Sequence, residues 1–176
     1  MNVEVKENKE IPQNWFAVYT MPRAEKKVFD RINEFGVEAY LPLMTSIRMW
    51  SDRKKKVTAP LISSYVFVKT EEIKLNDLLK IQGVMGVLKH LGKPAKIRDV
   101  EIENLKILLN DSDNVALLDE DVVFEKGDKI RVIKGPFKGL IGDCYEMKGK
   151  HRIIAAISTV NHFFEVNVPL SFLEKI

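Results

Sequence analysis

The stretch Pro60-Leu61-Ile62-Ser63-Ser64-Tyr65-Val66-Phe67-Val68 constrains this chain more than any other. It is β-branched and aromatic, follows a proline and ends at the polar Lys69-Thr70-Glu71, so it reads as a central strand. Side chains alternate across a strand, which sends Val66 and Val68 to one face of a sheet and Tyr65 and Phe67 to the other. Both faces are apolar. Such a strand is either covered on both sides within its own domain or leaves an aromatic face for another body to cover. Asn14 to Tyr19 repeats the pattern, with Trp15, Ala17 and Tyr19 on one face and Phe16 and Val18 on the other.

Between these strands the spacing predicts a helix. Thr20 is placed to cap it, Pro22 falls in its first turn, Ala24, Val28, Ile32 and Phe35 form a core-facing stripe, and Gly36 stops it. Its other face carries Arg23, Lys26, Lys27 and Arg31 against Glu25, Asp30 and Glu34, so cations crowd the end where the helix dipole favours anions. Two readings stand: a solvated face, or a seat for an anion such as a phosphate backbone. Leu41 to Trp50 is extended and turns at Ser51-Asp52 into Arg53-Lys54-Lys55-Lys56, a hairpin with a basic tip. A tip of this kind either guards an edge against aggregation or, with Trp50 beside it, offers the cations and stacking surface that nucleic acids use.

A short helix is predicted over Asn76 to Ile81, a strand over Gly83 to Leu88 and a turn at Gly92-Lys93-Pro94; Asp99 then caps a last helix with the stripe Ile102, Leu105, Leu109. Strand, helix, hairpin, strand, helix is an α+β layer, an antiparallel sheet with packed helices. The polar run from Asn110 opens a linker over 111–121. From Val122 the texture changes to short strands punctuated by glycine, the pattern of a small β-barrel over 122–176. The expected organisation is a disordered tail (1–10), an α+β domain (11–110), the linker and the barrel.

Several function classes are disfavoured. The lone Cys144 excludes an intrachain disulfide and multi-cysteine metal sites, and reads as a small residue filling a gap. His90, His151 and His162 lie in different elements without metal-ligand spacing, and there is no phosphate-cradling glycine motif, so neither an enzyme nor a cofactor is expected. No apolar stretch approaches the roughly 20 residues of a membrane span, and Met1 to Glu10 is unlike a signal peptide, so a soluble, cytoplasmic monomer is expected. A formal charge of +3 permits contact with nucleic acid without demanding it.

From Trp15 to Lys175 the chain resembles the NusG family of transcription elongation factors, which join an N-terminal NGN domain to a C-terminal KOW domain. The words that carry the resemblance are Trp15-Phe16-Ala17-Val18-Tyr19, the central strand above, Gly83-Val84, Gly92-Lys93-Pro94, and Phe124-Glu125-Lys126-Gly127-Asp128 leading to Gly135-Pro136-Phe137. Arg48 to Lys55 and Pro22 to Lys27 are similar to the specialised UpxY-type antiterminators of capsular polysaccharide operons. The resemblance implies a factor that binds the clamp helices of RNA polymerase through Tyr19, Tyr65 and Phe67, suppresses pausing and promotes read-through of a long operon. It also implies contact with non-template DNA through Arg23, Lys26 and Lys27, with Arg53, Lys54 and Lys55 as helpers. The family's threonine-rich contact with the opposite pincer of polymerase has no counterpart at Lys74-Leu75-Asn76-Asp77. For the KOW domain the family's partners are a ribosomal protein and termination factor Rho, but the Phe-Gly-Arg loop that meets them is replaced near Ser158 to His162. The β-branched runs Arg131-Val132-Ile133 and Ile153 to Ile157 favour a β rather than a helical KOW domain, flexibly tethered. The rival reading is an RNA-binding or ribosome-associated KOW module without polymerase activity.

Overall fold

The structure, a computed structural model, describes residues 12–49, 53–117, 127–147, 150–157 and 160–176. The expected N-terminal tail, Trp50 with the turn at Ser51-Asp52, the end of the linker with the first barrel residues (118–126), and Ser158-Thr159 lie outside the described residues.

The chain runs β1 (Asn14–Thr20), α1 (Glu25–Glu34), β2 (Glu38–Tyr40), the hairpin β3 (Leu43–Met49) and β4 (Lys54–Pro60), and β5 (Tyr65–Thr70). A 3-10 turn leads to α2 (Leu75–Leu78), β6 (Val84–Val87), the short pieces β7 (Lys89–His90), β8 (Lys93–Pro94) and β9 (Lys96–Ile97), and α3 (Asp99–Leu108). Then follow β10 (Val115–Leu117), β11 (Lys129–Val132), β12 (Ile141–Met147), β13 (Lys150–Ile157), β14 (His162–Asn167) and β15 (Leu173–Lys175). The architecture is α+β, an antiparallel sheet with packed helices followed by a β unit, as expected from the order of patterns.

The first sheet has the order β2-β5-β1-β6, with β9 also paired to β1. Its antiparallel register sets Phe16 opposite Val68 and Val18 opposite Val66, and on the other face Ala17 opposite Phe67 and Tyr19 opposite Tyr65. The first face is closed by Val28 and Ile32 of α1 and by Leu75 and Leu78, all of them buried. Gly83, at φ +97°, lets α1 approach this closely: a Cβ there would lie 2.8 Å from Val28 Cγ2. The second face is covered by Ile102, Leu105 and Leu108 of α3. Burying each such side chain contributes about 1.5–3 kcal/mol.

Local signals were misassigned where the sheet claimed a residue. Thr20 does not cap α1: it is the last residue of β1, its N–H donates to the Ser64 carbonyl, and its hydroxyl donates to the Met21 carbonyl. Pro22 and Arg23 form a turn with Arg23 at φ +64°, and the helix begins only at Glu25. Phe35 follows the last helical residue and is exposed, while Gly36 at φ +85° makes the expected stop. Asp99 is the first residue of α3 and makes no side-chain cap bond, and the buried stripe is Ile102, Leu105, Leu108 rather than one ending at Leu109. The short helix lies at Leu75–Leu78, ahead of its expected place.

The second sheet has the order β10-β14-β13-β12-β11-β15. β10 falls inside the stretch read as a linker, and pairs Val115 with Val166 and Leu117 with Phe164. The expected loose tether is replaced by packing. A contiguous apolar core runs from Trp15 and Phe67 through α3 to Ile130, Phe137, Leu140 and Phe164. Asn104, buried on α3, donates its side-chain N–H to the Ile141 carbonyl at 2.8 Å and accepts from the Ile141 N–H at 3.2 Å. This two-point bond satisfies a buried amide and holds α3 between the two sheets. Cys144 is partly buried against the same core, consistent with gap filling.

Candidate functional site

The second face of the first sheet is covered unequally. Toward Trp15 and Phe67 it is closed under α3, and Phe67 is 0% exposed. Toward the end of β1 it opens: Tyr19 is 45% exposed, and Tyr65 is partly buried beside it. The two rings meet edge to face, centroids 5.4 Å apart and planes at 64°, a geometry the aromatic quadrupole favours. The next strand adds no cover, because Gly86 of β6 stands opposite Tyr19 and a Cβ placed there would meet nothing within 4 Å. Of the three aromatic residues expected to grip a partner, two therefore form an accessible pair. The third is core, since alternation sends Phe67 to the right face but α3 lies over it.

Tyr40 joins this face unforeseen. It pairs with Phe67 across β2 and β5, with ring centroids 6.5 Å apart. Its hydroxyl is buried without a hydrogen-bond partner among the described residues. Burial, with a smaller contribution from the nearby Glu103 carboxylate, pushes its pKa up to about 12. The signal that could have located it is its place at the end of a short strand beside an aromatic one. Asn104 was equally unforeseen, although a polar residue inside the apolar stripe of α3 asks for a buried partner.

The cationic residues gather on another side. Arg23, Lys26 and Lys27 are exposed around the first turn of α1 and make no ion pair with any described residue. Glu25, their nearest acid in sequence, turns inward and accepts the Ser64 N–H at 2.8 Å, so it does not offset them at the surface. The Lys26 ammonium donates to the Thr58 carbonyl at 2.9 Å, which draws the basic side of α1 against β4. β4 and the residue before it carry Arg53, Lys54 and Lys55, all exposed. A hydroxyl contact of 2.8 Å between Thr45 and Thr58 ties β3 to β4 at the same level. The basic first turn of α1 thus packs against the hairpin whose second strand carries the other exposed cations. Among the described residues no cluster of His, Cys, Asp or Glu is placed to hold a metal ion, and no helix is long and apolar enough to cross a membrane.

Residues 13–106, more than half of the chain, match the family model described as transcription termination factor nusG. The transcription termination/antitermination protein NusG of Helicobacter pylori (strain ATCC 700392 / 26695) is 26% identical over 174 residues, spanning 92% of this chain and 96% of its own. The protein of the same description from Pseudomonas aeruginosa is 27% identical over 180 residues, spanning 93% and 99%. A solved structure of Thermotoga maritima NusG is 23% identical, with a TM-score of 0.47 over 93% of this chain and 97% of that one. With the family model spanning the sheet, both of its faces and most of α3, this chain belongs to the NusG family.

Proposed function

We propose that this protein is a specialised transcription factor that binds elongating RNA polymerase through its N-terminal sheet, suppresses pausing and termination, and promotes read-through of a long operon. Family membership supports the class. The observation that carries the contact is the Tyr19–Tyr65 pair, two amphipathic rings left at the open end of a face otherwise sealed by α3. Rings of this kind anchor protein interfaces because each buries a large apolar surface and offers a hydroxyl to a polar rim, about 1–3 kcal/mol apiece. A helical pair such as the polymerase clamp helices fits an anchor of this form. Phe67 supports the tyrosines from beneath. Arg23, Lys26 and Lys27, with Arg53, Lys54 and Lys55 of the hairpin, supply the salt-dependent attraction to exposed non-template DNA. The similarity of Arg48 to Lys55 and Pro22 to Lys27 to UpxY-type antiterminators supports a polysaccharide operon as the template.

The test is reconstituted transcription by the cognate polymerase across a leader and terminator, with wild type and a Tyr19→Ala, Tyr65→Ala double variant. Increased read-through that the variant loses is expected. Read-through indifferent to the variant, or structured RNA bound equally well without polymerase, would replace this reading with that of an RNA-binding module.

A further inference from the structure

A second unclaimed surface lies on the opposite edge of the first sheet from β2. Among the described residues β6 pairs only with β1, so the other edge of β6 has no strand beside it. The pairing skips from Tyr19↔Gly86 to Thr20↔Val84, a bulge at Met85 that turns this side chain outward, 58% exposed. Beside the free edge runs a groove of about 790 Å³, where Ile73, Leu79 and Met85 stand among the polar Glu72, Asn76 and Lys89. Ile73 is 75% exposed and Leu79 47% exposed. An edge guarded against aggregation carries charges at such positions. Here they are apolar.

The charges around the groove say what fits it. Glu71 pairs with Lys74, Asp77 with Lys80, and Glu72 with Lys96. The neighbouring Lys89 and Lys93 make no ion pair with any described residue. With Glu72 offset by Lys96, the rim is left net positive by Lys89 and Lys93, beside the exposed apolar side chains of Ile73, Leu79 and Met85 and an open strand edge. A second copy of the same edge would bring its own Lys89 and Lys93 against these, a repulsive match. A nucleic acid would use the lysines and leave Ile73, Leu79, Met85 and the strand edge idle.

We infer that this groove docks an extended peptide of alternating apolar and acidic residues, which adds to β6 as a further strand of the sheet. Backbone bonds along the edge supply affinity, the apolar side chains enter the groove, and the carboxylates meet Lys89 and Lys93. This surface does not depend on the polymerase contact proposed above.

The experiment uses the full chain and a labelled synthetic peptide alternating valine with glutamate, read by fluorescence anisotropy and by amide hydrogen exchange. Saturable binding is expected, with new protection at Val84–Val87. Lys89→Glu or Met85→Glu, both surface changes, should weaken it by about tenfold or more. A peptide with lysine in place of glutamate should not bind. The proposal is overturned by the absence of saturable binding, by binding that leaves the β6 amides unprotected, or by affinity indifferent to Lys89→Glu. Displacement of the peptide by oligothymidine, with tighter binding of the oligonucleotide, would assign the groove to nucleic acid instead. Concentration-dependent dimerisation abolished by Met85→Glu would assign it to a second copy.

Discussion

The two faces of the first sheet are built from the same two strands with the same alternation, yet only one is sealed. Phe16, Val18, Val66 and Val68 carry no polar atoms in their side chains, and α1 together with Leu75 and Leu78 covers them completely. The other face substitutes tyrosines at its open end, and α3 reaches only as far as Phe67. An aliphatic face left half covered would be an aggregation liability, whereas a tyrosine tolerates partial exposure because its ring end can carry a hydroxyl to water. The difference teaches that apolar pattern sets which face a residue joins, and the reach of the covering helix sets whether it is core or exposed.

The sharpest way to break this comparison is to truncate a buried ring on each face. Phe16→Ala and Phe67→Ala should each cost about 3–5 kcal/mol in urea unfolding. If Phe67→Ala cost under about 1 kcal/mol while abolishing polymerase binding, the ring would be interface and α3 would not seal it in solution. Gly83→Ala tests the closed face from behind. With a Cβ 2.8 Å from Val28 Cγ2 at φ +97°, a loss of about 1–3 kcal/mol is expected. On the α3 side, Asn104→Ala removes both bonds to Ile141 and takes a partner from its partly buried N–H and carbonyl, about 1–3 kcal/mol. Chemical shift changes in β12 and a separate unfolding step for the β unit should accompany it; an unchanged single transition would locate the coupling elsewhere in the shared core.

The open end should behave differently. Tyr19→Ala is expected to change stability by under about 1 kcal/mol, because nearly half of the side chain is already in water, while weakening polymerase binding. The smallest effect concerns Tyr40. A pKa raised from 10.0 to about 12 means that the unfolded chain loses this proton first. The corresponding stabilisation is full below pH 10 and is lost as pH rises through 12. Alkaline absorbance should show a late phenolate step near 12 that Tyr40→Phe removes. The same substitution should leave stability at neutral pH unchanged or slightly higher, since the buried hydroxyl has no partner among the described residues.

How much of this was legible beforehand differs by residue. Alternation alone set Tyr65 with Phe67 on one face of their strand and Tyr19 with Trp15 and Ala17 on one face of theirs, because strand geometry is local; the register between the strands put the two sets on the same face. It said nothing of Phe67 being buried, because α3 is distant in sequence. The basic cluster on α1 and the basic hairpin were visible as separate runs. Their joining depends on the bond from Lys26 to the Thr58 carbonyl and on the inward turn of Glu25, both set by how helix and hairpin pack. The caps proposed at Thr20 and Asp99 failed for a related reason. A residue with good capping chemistry was taken by the sheet in one case, and in the other the helix began at the residue itself.

The amino-acid sequence by itself determined the main strands, the two main helices, the change of texture after the polar run at Asn110 to Asn114, and which side chains of one strand share a face. These follow from periods of two and 3.6 residues and from turn chemistry, which act over a few neighbours. Only the tertiary structure decided that Val115–Leu117 becomes an edge strand of the second sheet, that Asn104 bonds Ile141 across to it, and that Tyr19 stays open while Phe67 is covered. Those outcomes rest on contacts between residues far apart in the chain, whose energies appear only when both partners are in place.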